Sequence, residues 1–241
     1  MSYGLDYSLA AQAAGSERAA FIRRTYAHLA GAILAFAGLE TLLINTVDHR
    51  AVLSLFLGGR LTWLIVLGAF MVAGWVAQTW AQSETSRGLQ YLGLALYVVA
   101  EAVIFLPLLI IASDFFPTKP GQMLGVIGTA GILTVAVFAG LTLAVFVTKK
   151  DYSPLRPILC VGALIALGVI VAAVICGFSL GLFFSFAMVA LMSGYILYYT
   201  SQVMLHYRTD QHVAAALALF ASIATLFWYI LQIVMSLSSR D

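Results

Sequence analysis

Residues 89–111 read LQYLGLALYVVAEAVIFLPLLII, a run with no Lys, Arg, His or Asp and one carboxylate, Glu101. As an α-helix at about 1.5 Å per residue it spans about 34 Å. A bilayer hydrocarbon core is about 30 Å thick and needs about 20 apolar residues to cross. A helix on the surface of a soluble domain would keep a polar face, and this run has none. The stretch therefore reads as a transmembrane helix. Six more of the same kind lie on either side, at about 29–47, 61–80, 123–147, 158–176, 181–205 and 213–237. The predicted fold class is all-α: a polytopic membrane protein with a polar tail over 1–27 and a seven-helix transmembrane domain over 28–238. Gly177 is nearly the whole break between the fifth and sixth runs, so six helices with one re-entrant segment is the alternative.

Composition agrees. The 241 residues are 63% hydrophobic and 9% charged, whereas soluble domains carry about 25% charged residues. The net charge of +2 comes without a Lys/Arg-rich run, so nucleic acid is not an expected partner. The first 20 residues lack an apolar run after a basic start and do not read as a cleaved signal peptide. Arg18, Arg23, Arg24, Arg87, Lys149, Lys150, Arg156 and Arg208 fall on one face of the predicted topology, and Arg50, Arg60, Lys119 and Arg240 on the other. Cytoplasmic loops are enriched in Lys and Arg. The amino terminus is therefore expected in the cytoplasm and, with seven spans, the carboxyl terminus outside. Cys160 and Cys176, in one predicted helix about 24 Å apart along its axis, are expected as buried small hydrophobes. Gly177/Gly181 and Ala214/Ala218 read as helix-packing seams.

Two side chains do not belong in hydrocarbon. Glu40 and Glu101 sit at similar depths, roughly 16 and 18 Å from the ends of their runs, and an ionised group at mid-bilayer costs at least about 2.5 to 3.5 kcal/mol. No Lys, Arg or His lies in any run to pair with them. Either each is held protonated by a local hydrogen bond, or the two meet and share one proton, or they face a polar cavity and meet a passing cation. A second polar group gathers on the last two runs: Tyr195, Tyr198, Tyr199, Gln202, Ser222 and Thr225, with Gln232 further along. Tyrosines near a membrane boundary also serve as interfacial anchors.

Enzyme chemistry is not expected. The chain has no HExxH, no P-loop and no glycine-rich dinucleotide turn. His28, His49, His206 and His212 all sit at run ends or in loops, no aspartate lies within a run, and the last run has no Lys for a Schiff base. No cofactor and no tightly bound metal are expected.

Residues 148–153, TKKDYS, with Lys149, Lys150 and Asp151 between two spans, resemble the threonine, lysine, basic, aspartate, aromatic, serine loop of the Bax inhibitor-1/YccA family, also called the transmembrane Bax inhibitor motif family. FIRRTY at 21–26 resembles that family's opening. ILYYTS at 196–201, followed by 216–227, resembles its last two helices. The resemblance implies a seven-helix bundle with the last helix central. It also implies a bacterial inner membrane and one of two roles: a proton-sensitive calcium leak, or a modulator of cell-death and stress responses, with bacterial relatives linked to a membrane-bound AAA protease. Leak-forming members carry an aspartate in each of the last two helices. The matching positions here are Tyr199 and Ser222, which do not ionise near neutral pH.

The resulting expectation is a proton-linked cation leak in the lipid bilayer. Glu40 and Glu101 would take the acid role with protons and transient Ca²⁺, and Tyr199, Ser222, Tyr198, Gln202 and Thr225 would support them. The alternative is a non-conducting regulator that binds a membrane-bound AAA protease or stress machinery. Two carboxylates are few for a Ca²⁺ site, which takes 6 to 8 oxygens, so passage rather than retention is expected.

Overall fold

The computed structural model describes residues 9–84, 86–118 and 123–239; the basic residues Lys119 and Arg240 lie outside them. Its helices are α1 (Gly15–Thr46), α2 (His49–Leu57), α3 (Arg60–Ala81), α4 (Arg87–Phe115), α5 (Val126–Thr148), α6 (Arg156–Cys176), α7 (Gly181–Leu205) and α8 (His212–Ser238). Among the described residues, all but α2 are long and apolar enough to cross a membrane, which gives seven candidate spans. The re-entrant alternative is not adopted: Gly177, at φ 76°, ends α6 and a short turn leads into α7.

The last helix is central. In its apolar segment 72% of residues are buried, against 61% in α4 and 17% in each of the other five. α8 packs against α1, α3, α4, α5 and α7, while α6 closes the ring on α3 and α7. Small side chains explain why α8 can take this place. Ala214, Ala215, Ala216 and Ala224 are buried, and small residues let helices approach closely where lipid gives no hydrophobic drive between them. The outer helices turn Leu34, Ile65, Val72, Leu143, Ile158 and Phe183 outward. So large an exposed apolar surface would aggregate in water but matches lipid tails.

Two expectations are corrected, and two helical features were not foreseen. α1 starts at Gly15, inside the stretch read as a tail, because helix propensity carries through polar residues 15–28 where a hydropathy window sees nothing. α2 was not anticipated. Its amino end is capped by Asp48, whose Oδ1 accepts from the Arg50 N–H at 2.9 Å. Cys160 and Cys176 are exposed rather than buried, since peripheral α6 shows lipid the same apolar chemistry that a core would hold. Gly177 and Gly181 form no packing seam; both have positive φ and shape the α6–α7 turn.

Two contacts lock the remaining registers. His49 Nε2 lies 2.9 Å from the Ile44 carbonyl and its Nδ1 2.9 Å from Asp114 Oδ2, which ties the α1–α2 corner to the end of α4. The Ile44 carbonyl, then Asp114, favours the protonated ring and raises its pKa. At Gly93, a Cβ would stand 2.5 Å from the Ala77 carbonyl oxygen and 2.7 Å from the Ala81 nitrogen, so α3 and α4 meet backbone to backbone. Gly93→Leu is expected to destabilise the bundle by about 1–3 kcal/mol or more, read as a lower unfolding temperature in detergent micelles; an unchanged temperature would refute this contact.

Candidate functional site

The loop after α5 is fastened to the end of α7. Lys149 takes a left-handed conformation, φ 50°, and terminates α5. Asp151 Oδ1 accepts from the Ser153 N–H at 2.8 Å, and its Oδ2 lies 3.0 Å from His206 Nε2. Gln202 Nε2 donates to Ser153 Oγ at 2.8 Å, and the Tyr152 N–H donates to Ser201 Oγ at 3.2 Å. Gln202 therefore belongs to a structural clasp. The Ser153 hydrogen bonds, with His206 adding a smaller share, hold the Asp151 carboxyl down at about 2. A lowered carboxyl pKa stabilises the fold above the unfolded value near 3.9 and ceases to do so as pH falls through about 2. Asp151→Asn is thus expected to lower the unfolding temperature at neutral pH, with the difference from wild type closing toward pH 2; a constant difference across that range would refute it.

Within the bundle, α8 carries a polar stripe at alternating three- and four-residue spacing: Ser222, Thr225, Tyr229, Gln232 and Ser236. This spacing keeps side chains on one helix face. The stripe borders two cavities. The larger, about 1010 Å³, lies among α3, α4, α6, α7 and α8. It is lined by Glu101, Thr225, Tyr229, Gln232 and Ser236, and reaches Gly59 and the 177–181 turn. Those last segments share the face that carries α2 and the end of α8. The smaller, about 280 Å³, lies toward the opposite face and is lined by Gln78, Tyr199, Tyr207, Ser222 and Thr225. Thr225 borders both.

Glu101 is 3% exposed at the larger cavity. Tyr97, one turn earlier on α4, is buried beside it. Pro107 in the same wall lacks the N–H that would meet the Val103 carbonyl. Across the cavity Ser185 Oγ donates to Gln232 Oε1 at 3.1 Å. Ser222 and Thr225 hydroxyls donate to their own helix, to the Ala218 and Ala221 carbonyls at 2.9 Å each, so their lone pairs remain available. Tyr199 stacks on Tyr195 at 5.8 Å and meets Tyr198 edge-on at 5.0 Å.

Glu40 stands apart. It is 4% exposed on α1, neither carboxyl oxygen has a hydrogen-bond partner among the described residues, and it borders neither of these cavities. The two glutamates therefore do not share a proton through a direct hydrogen bond. Tyr199, Ser222 and Thr225 line the smaller cavity, which neither Glu40 nor Glu101 borders, whereas Tyr198 packs on Tyr199 and Gln202 serves the loop. Sequence reasoning missed Tyr97, Ser185, Trp63, Trp228 and Tyr229. The spacing of the α8 stripe was the available signal for Tyr229; Ser222, Thr225 and Gln232 were noticed, and Tyr229 and Ser236 were not.

The face with the smaller cavity is strapped. Arg208 NH1 donates to Glu84 Oε1 at 2.6 Å and NH2 to Asp210 Oδ2 at 2.8 Å, which links the α3–α4 and α7–α8 turns. Leu9 bridges Arg208, and the Ala10 N–H donates to the Tyr207 carbonyl at 2.9 Å, so the amino-terminal turn lies over the wall formed by Tyr207. A family model described as "Inhibitor of apoptosis-promoting Bax1" matches residues 18–240. No curated protein matches the chain.

Proposed function

Since this chain belongs to the Bax inhibitor-1/YccA family and is an integral membrane protein, we propose that it is a proton-linked cation leak whose path follows the polar stripe of α8. The observation that carries this reading is the pair of cavities, one toward each face, that both border Thr225, with the buried carboxyl Glu101 in the wall of the larger. An ionisable group inside a membrane marks ion or proton pathways when it faces a cavity. Protonation of Glu101 removes its charge and with it the attraction for a cation, which links flux to pH. Tyr199 and Ser222 occupy the positions of the family's acid pair as neutral oxygen donors, and the acid moves along the same cavity system to α4. Glu40 serves as a second intramembrane acid acting on flux through the α1 packing rather than from a cavity wall.

Ca²⁺ is the proposed passing ion, since a hard cation takes oxygen ligands and the stripe supplies hydroxyl and amide oxygens. The strapped face, which bears most Lys and Arg residues, is placed in the cytoplasm, with the protein in a bacterial inner membrane.

The test is Ca²⁺ entry into dye-loaded liposomes as a function of pH. Glu101→Gln is expected to lower flux by about tenfold or more and flatten its pH dependence. Glu40→Gln should shift it less. Thr225→Leu, which fills the junction without touching an acid, should also reduce flux. Unchanged flux in Glu101→Gln would sink the acid role, and absence of flux in wild type would move the assignment to a non-conducting regulator of membrane-bound partners.

A further inference from the structure

The larger cavity has a chemistry that ion passage does not use. Its volume, about 1010 Å³, is at the upper end of the range for small-molecule sites, about 300–1,000 Å³. Its walls are aromatic: Trp63 and Phe70 from α3, Phe105 from α4, and Trp228 and Tyr229 from α8. Phe105 and Trp228 lock each other edge to face, with ring centroids 4.9 Å apart and planes at 88°. Among the described residues, one ionisable carboxyl lines the cavity, Glu101 at 3% exposure, and no Lys, Arg or His does. The Ser185–Gln232 pair and the side chains of Ser179, Thr225, Tyr229 and Ser236 supply neutral polar contacts.

These features select among ligand classes. An anion finds no positive side chain in the described lining and one negative one. A small hard cation can pass along the stripe oxygens but meets a single carboxylate, too few charged ligands for it to be retained. A neutral apolar molecule would leave the carboxyl unpaired at a cost. A cation with its charge spread over an apolar body satisfies every part, because indole and phenyl faces attract weakly hydrated cations and the carboxylate supplies the counter-charge.

The geometry points to a binding site for a lipophilic organic cation in this cavity, with Glu101 as counter-ion and Trp63, Phe105 and Trp228 packed around the apolar body. It shares Glu101 with the proposed leak but does not need ions to cross Thr225, since the larger cavity alone accommodates the ligand.

Tetraphenylphosphonium and tetraphenylborate, alike in size and opposite in charge, are the probes. Binding is measured by tryptophan fluorescence and isothermal calorimetry on the full chain in nanodiscs, corrected for empty nanodiscs. Saturable phosphonium binding to wild type is expected, without matching borate binding. Glu101→Gln should weaken it by about tenfold or more and Trp228→Leu by roughly three- to tenfold. Borate binding as tight as phosphonium, no saturable phosphonium binding, or an unaffected Glu101→Gln each overturns the site. The probe comparison uses wild type alone and decides the question even where a variant fails to fold. Phosphonium binding without Ca²⁺ flux would refute the leak and keep this site; flux without phosphonium binding would do the reverse.

Discussion

A polar group in hydrocarbon has no water to bond, so protein must surround it or enclose space for water around it. The whole arrangement of α4 and α8 answers that constraint. Both helices are drawn into the centre of the bundle, where neighbouring helices rather than lipid meet their polar side chains. The other spans turn their buried polar groups, among them Glu40 on α1 and Ser185, Thr200 and Ser201 on α7, inward and show lipid on most of the rest of their surface. Glu101 and the stripe from Ser222 to Ser236 sit where the two central helices border a cavity, and the back-bonded hydroxyls of Ser222 and Thr225 satisfy their protons at no cost to the helix ladder.

Close packing and open space are reconciled by residue size. Buried alanines at 214–216 and 224 let the helices around α8 approach closely, while Trp228, Tyr229 and Gln232 line the larger cavity with residues of α3 and α6. The opposing aromatic wall keeps that side from collapsing. Gly93 performs the complementary task on the α3–α4 seam, where two backbones touch.

Much of this was legible in the sequence. Seven spans follow from hydropathy, because each run is as long as a bilayer is thick. The grouping of Tyr199, Ser222 and Thr225 followed from helical spacing and from the resemblance in the last two helices. What escaped depends on rotation about helix axes, which hydropathy does not encode. Equal depth suggested a meeting of Glu40 and Glu101, yet α1 turns Glu40 to a site without a hydrogen-bond partner among the described residues while α4 turns Glu101 to the larger cavity. Buried and lipid-facing surfaces are equally apolar, which is why Cys160 and Cys176 were misplaced. α2 is too short for a span and too regular for a loop, and the polar start of α1 is invisible to a window tuned to apolar runs.

The meeting of two cavities at Thr225 has an electrical consequence. Where a bilayer is intact, its voltage is spread over about 30 Å of hydrocarbon. Water entering each cavity from its own face would carry the two bulk potentials inward and leave one side chain's thickness of dry protein between them. The field at that layer would then be several times steeper than elsewhere, and a unit charge crossing it would exchange about 2.3 kcal/mol per 100 mV over a few ångströms. In such a geometry a polar group at the boundary near Thr225 would feel the membrane voltage far more strongly than one buried elsewhere in the bundle.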